Sequence, residues 1–235
     1  MAIAFVQTPT AVVATGVTST TKAFASNVTA GNCLLAFQSQ YDGGGPTINT
    51  PTDTLSHTYL AAINQHNNGP ADTGIRAYYV LNCSGGANTV TFASGSGTSD
   101  ITGVCAEFSG IATSSALDQT GSASGSLLAV AVSSIGAIAQ ADELVLGIMI
   151  YDTTNTTITE GSTILREAEV VETSAPIGTE YQIVSSIGVV TATWTLGANR
   201  NWIADLFTLK AAGAAANPFF GMAQPMMDTG ALMAY

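Results

Sequence analysis

His57 and His66 are the only side chains in this 235-residue chain able to exchange a proton near neutral pH, so any Ser/His/Asp or Cys/His chemistry must be built on one of them. Both sit in stretches rich in Thr, Ser and Asn, and no Gly-x-Ser-x-Gly elbow accompanies either. Their spacing also does not match that of a metal-binding helix. They read as surface histidines in exposed loops. The run Glu167-Ala168-Glu169-Val170-Val171-Glu172 is the second candidate. Residues two apart on a strand share a face at about 6.6–7 Å, near the ~5–5.5 Å carboxyl separation of a retaining glycosidase. Yet the run holds no aromatic side chain for a sugar subsite, and Arg166 beside it offers an ion pair. It reads as an exposed polar strand face. Asp42, Asp53, Asp72 and Asp100 lie singly in turn-like stretches, without the ligand spacing of a calcium loop. The reading therefore assigns no catalytic residue, no metal ligand and no cofactor.

Cys33, Cys83 and Cys105 are odd in number and widely spaced, which fits neither a zinc site nor a dense disulfide framework. They read as small buried thiols in or beside strands. Tyr41, Tyr59, Tyr78, Tyr79, Tyr151, Trp194 and Trp202 could stack on a sugar, but Tyr and Trp also suit strand packing, which is the role read here. Five Lys and Arg against 16 Asp and Glu, net charge −11, cannot neutralise a row of phosphates, so nucleic-acid binding is excluded. The same charge is repelled by anionic lipid, and no apolar run of ~20 residues is long enough to span a bilayer. The opening MAIAFVQTPT has no basic n-region, so synthesis without export is expected, and the sequons at Asn27, Asn82 and Asn155 carry little weight.

These residues must be positioned by strands. With 24 Gly and only 9% charged residues, the chain lacks the usual helix formers. Short apolar or alternating runs fall at 3–7, 33–40, 75–81, 89–92, 103–108, 127–132, 144–151, 163–170, 181–185, 189–194 and 202–209, separated by clusters such as Asp42-Gly43-Gly44-Gly45-Pro46 and Asn67-Asn68-Gly69-Pro70. Thr191, Thr193 and Thr195 alternate with Ala192 and Trp194, the period of a strand with one buried face. This spacing predicts an all-β, two-sheet antiparallel sandwich over residues 1–213.

The segments VTAGNCLLAF, YYVLNCSGGANTVTF, GVCAEFSGI, ALDQTGSASG, ADELVLGIMIY and EYQIVSSIGVVTATWTLGANRNWIADLFTLKAA follow one another in an order that resembles concanavalin A-like jelly-roll domains of bacterial surface proteins and tailed-phage virions. The resemblance covers roughly residues 20–212 and rests most on Ala106-Glu107-Phe108-Ser109-Gly110 and on Trp194 to Trp202. It implies a jelly-roll sandwich and no particular activity, because that fold hosts lectins, hydrolases and capsid parts alike. The chain departs from it at Asp53-Thr54-Leu55-Ser56-His57-Thr58-Tyr59, where the family has a Gly-Asn turn, so the resemblance assigns that loop no ligand.

Residues 214–235 lie beyond the resemblance and read as an extended, apolar C-terminal arm. Pro218 and Pro225 break any helix, and Asp228 is its sole charged side chain. Phe219, Phe220, Met222, Met226, Met227, Leu232, Met233 and Tyr235 are expected to form an interface with a neighbouring subunit. The function expected is that of a non-enzymatic structural subunit of a virion, of phage decoration (cement) or fibre type. Its expected partners are further copies of itself, a trimer foremost, and other virion or surface-assembly proteins. A carbohydrate-binding module at the cell surface is the alternative, with a glycan as ligand.

Overall fold

The computed structural model describes residues 2–69, 72–152, 156–168 (backbone alone for 166–168) and 175–213. The first half holds β1 (Ala4–Gln7), β2 (Val12–Val17), β3 (Ser19–Ala23), β4 (Cys33–Tyr41), β5 (Thr52–Asp53), β6 (Leu60–Ala61), β7 (His66–Asn68), β8 (Thr73–Val80), β9 (Thr89–Ala93) and β10 (Ser99–Ser109). The second holds β11 (Leu117–Gly125), β12 (Ala129–Ser133), β13 (Asp142–Tyr151), β14 (Ile158–Glu160), β15 (Thr163–Ala168), β16 (Ile177–Ser185), β17 (Thr191–Leu196) and β18 (Trp202–Lys210). The all-β antiparallel sandwich expected from the spacing is what the chain forms.

The strands lie in four sheets rather than two. One large sheet runs β1-β10-β4-β8-β6, with β2 continuing the β1 edge along β10 and β7 continuing the β6 edge along β8. The other runs β11-β18-β13-β16-β15. Each has a three-stranded companion, β3-β9-β5 and β12-β17-β14. The two halves thus repeat one order: β2-β10-β4-β8-β6 matches β11-β18-β13-β16-β15, and β3-β9-β5 matches β12-β17-β14. In each half an early strand pairs with the last, which is a jelly-roll-like path.

Side-chain alternation explains the stacking. In β13, Leu144, Leu146, Ile148 and Ile150 join a central core with Leu35, Phe37, Ile75, Ala77, Val104 and Phe108 of the first half. The intervening Val145, Met149 and Tyr151 face the other way, against Val130, Ala192 and Trp194 of the smaller sheet. In β4, Leu34 and Ala36 likewise turn from the central core towards Val90 and Phe92 of β9. The two large sheets therefore pack face to face, and each carries a small sheet on its outer face. A strand covered on both faces reads as a continuous apolar run, and that run does not say how many layers flank it. Here lies the physical reason for the difference from two sheets.

The three cysteines are buried and free. Burial pushes the Cys105 thiol up to about 12, and burial together with the nearby Glu107 carboxylate pushes Cys83 up to about 11. Tyr59, Tyr78, Tyr79, Tyr151, Trp194 and Trp202 are core residues, as strand packing predicted. The arm, residues 214–235 with all eight of its expected interface side chains, lies outside the described residues.

Layers approach closely where a ring lies over a glycine. A Cβ built on Gly147 would stand 2.7 Å from the Trp194 ring and 2.8 Å from the Ala192 methyl. Gly147→Ala is expected to cost about 1–3 kcal/mol by overpacking, read as a lower urea midpoint. Gly44→Ala, with nothing within 4 Å of its Cβ, should stay within about 0.5 kcal/mol of the parent.

Candidate functional site

Asp53 closes the two-residue strand β5, and the chain then folds back over its carboxylate. Oδ1 accepts hydrogen bonds from the backbone N–H groups of Leu55 (3.1 Å) and His57 (3.0 Å), an Asx-type turn helped by Ser56 at φ 59°. Oδ2 accepts from Tyr59 Oη (3.0 Å), Asn88 Nδ2 (2.9 Å) and His57 Nδ1 (2.7 Å). The Asp53 side chain is fully buried. Burial pushes its carboxyl up, but the hydrogen bonds from Asn88, His57 and Tyr59 outweigh this and hold it below the usual carboxylate range. Burial and the adjoining Asp53 charge push the Tyr59 hydroxyl well up, so it stays a donor.

An ionised carboxylate only accepts, so His57 Nδ1 donates to Asp53, and the Ser84 N–H aimed at Nε2 marks that nitrogen as an acceptor. Ser84, in the turn between β8 and β9, supplies both donors to that nitrogen. Its N–H lies 2.9 Å and its Oγ 2.8 Å from Nε2. The result is a continuous line Ser84 Oγ–His57–Asp53 with heavy-atom separations of 2.8 and 2.7 Å. Such spacing holds an imidazole in one tautomer and orientation, with its basic nitrogen on a hydroxyl.

His66 makes a second pair. From β7 it reaches across the central layer, where Nδ1 lies 2.9 Å from Oδ1 of the fully buried Asp205 on β18. The other oxygen, Asp205 Oδ2, has no hydrogen-bond partner among the described residues. His66 also lines a cavity of about 390 Å³ together with Asn64, Gln65, Thr120 and Ser122. This hydroxyl- and amide-lined hollow lies between the β6–β7 edge of one large sheet and β11 of the other.

Both histidines therefore differ from the exposed surface residues expected. The expectation rested on polar neighbours in sequence, but each imidazole is held by a carboxylate brought from the fold: Asp53 through a local turn, Asp205 from 139 positions away. Asp42 caps a turn as expected, accepting from Gly44 N at 3.0 Å, and Asp100 accepts from Gly16 N at 3.0 Å. Glu167 lies on β15 opposite Gly178, while Glu169 and Glu172 fall outside the described residues. Among the described residues, no three His, Cys, Asp or Glu side chains converge as a metal site would require. The signal for the first line was present in part: an Asp four positions before a His, within Asp-x-x-Ser-His, is an Asx-turn pattern. Ser84 carried no signal, because its partnership depends on how the β8–β9 turn lies against the loop after β5. No family model, no curated protein and no solved structure matches the chain.

The lowered Asp53 carboxyl has a defined pH consequence. Stability from the ionised form is present above the unfolded value near 4 and is lost as pH falls through the lower folded value. Asp53→Asn is expected to lose about 1–3 kcal/mol at pH 7, where one amide group faces donors it cannot accept from. That gap should narrow below about pH 4, as urea midpoints of parent and variant at pH 7 and pH 3 would report.

Proposed function

We propose that this chain is a structural subunit of a larger assembly, a jelly-roll-like module of a virion, of decoration or fibre type, that binds neighbouring copies through residues 214–235. The observation that carries this reading is an exposed apolar ridge at the end of the molecule where the last described strand runs out. Ile135, Ile187 and Val189 are 85%, 65% and 62% exposed. Hydrogen bonds from Ser134 N to Val190 O (2.9 Å) and from Ile138 N to Gly188 O (3.0 Å) bring their two loops together.

The chain reaches residue 213 close by. Ala211 N donates to Asp142 O (3.0 Å), and Asp142 stands opposite Ser185, two residues before Ile187. Ala212 N then donates to Gly110 O (2.7 Å). The next 22 residues contain Phe219, Phe220 and four Met, side chains of the kind an apolar ridge on a neighbouring copy accepts. Each large apolar side chain buried there is worth about 1.5–3 kcal/mol, enough for several to offset the ordering of an extended segment. Association through such a segment in trans is heterologous and forms a ring where the rotation closes, a trimer being the ring proposed. The resemblance to jelly-roll domains of tailed-phage virions agrees with this use of the fold.

Deleting residues 214–235 is the test. Circular dichroism should keep its β signature, while self-association, measured by sedimentation at several concentrations, weakens at least tenfold, about 1.4 kcal/mol. An unchanged association constant would contradict the docking role, and loss of the β signature would place the arm on its own sandwich.

A further inference from the structure

We propose that Ser84 is an activated nucleophile, and that Ser84, His57 and Asp53 form an acyl-transfer site that hydrolyses short carboxylic esters at the protein surface. This goes beyond the docking role and does not depend on it. Three observations carry it. The hydroxyl lies 2.8 Å from His57 Nε2, and His57 Nδ1 lies 2.7 Å from Asp53, the two contacts that a base-activated serine needs. Four further donors fix the Asp53 carboxylate that His57 Nδ1 meets, which favours one orientation of the imidazole. Ser84 is also exposed, unlike its buried neighbour Cys83, and Gly85 beside it puts no side chain in the path of an approaching carbonyl.

The chemistry balances with water as the one co-reactant. The Ser84 Oγ–H proton passes to His57 Nε2 while Oγ bonds to the ester carbonyl carbon. The carbon–oxygen bond to the leaving alkoxide then breaks, and the alcohol departs with the proton from Nε2. Water attacks the acyl-Ser84 carbonyl, gives a proton to Nε2, and the carboxylic acid leaves as Oγ regains that proton. Asp53 is a positioning residue, since it acts through His57. Ser84 is exposed, so a small activated ester such as p-nitrophenyl acetate reaches its Oγ.

The full-length chain should be incubated with a fluorophosphonate probe and, separately, with p-nitrophenyl acetate, and the modified peptides mapped by mass spectrometry. Ser84 should be modified at least about 100-fold faster than the exposed Ser124 of the same molecule, with a stoichiometric burst of nitrophenol. Ser84→Ala keeps the backbone hydrogen bond to Nε2 and therefore the fold; it should abolish the burst, and His57→Gln should lower labelling by a similar factor. Labelling of Ser84 no faster than Ser124 would overturn the proposal and leave His57 as a clamp on the β8–β9 turn. Ester hydrolysis surviving in folded Ser84→Ala would overturn it as well.

Discussion

Burial of both faces of the two large sheets is the constraint from which the rest of the molecule follows. Leu35, Phe37, Val104, Leu146, Ile148 and Phe207 fill the space between them, with the Phe37 and Phe207 rings 6.0 Å apart. The opposite faces of the same strands are no less apolar and cannot be left in water, so each large sheet carries a small one. The repeated strand order of the two halves is one solution used twice, the first and last long strands of each half being neighbours in its large sheet.

A stack of four sheets leaves polar groups on inner strands far from solvent, where a partner within the fold offsets the cost of burial. These partners tie the layers together. Glu180 on β16 accepts from Thr193 N (2.9 Å) and Ser162 N (3.0 Å), joining a large sheet to its small companion. Glu107 on β10 accepts from Thr29 N (2.8 Å), Asn32 Nδ2 (2.6 Å) and Gln7 Nε2 (2.6 Å). Ser39 donates across the central layer to Ala175 O at 2.9 Å, and His66 meets Asp205 across that same layer. The Asp53–His57–Ser84 line is of this kind too, because it joins β5 of a small sheet to the turn that follows β8 of a large one. A strut between layers and a poised base are compatible: both require an imidazole fixed in one tautomer.

The sequence made the β character legible because Val104, Ala106 and Phe108, or Ala192, Trp194 and Leu196, alternate with small or polar residues at the period of a pleated strand. Buried thiols and core aromatics were legible for the same reason. β11, Leu117–Gly125, was not, since Asp-Gln-Thr-Gly-Ser-Ala-Ser has no apolar stripe; it is an edge strand whose pairing to β18 supplies the order its side chains do not. Gly103 and Gly147 lie beneath Phe92 and Trp194, where the absence of a side chain lets the layers approach closely. Both histidines were misplaced because a loop's exposure is set by what folds over it. Asp205, inside the apolar run from Trp202 to Leu209, has no local feature that pairs it with His66.

The shared core makes the central layer one cooperative unit that spans both halves. Native-state hydrogen exchange tests this most directly, through the amides of β4 and β10 on one side and β13 and β18 on the other. If the shared core governs folding, all four strands exchange only by global unfolding, with a common free energy that falls with urea at the slope of the whole chain. Exchange of β4 and β10 at a free energy more than about 2 kcal/mol away from that of β13 and β18 would contradict it, and would show two halves that open separately.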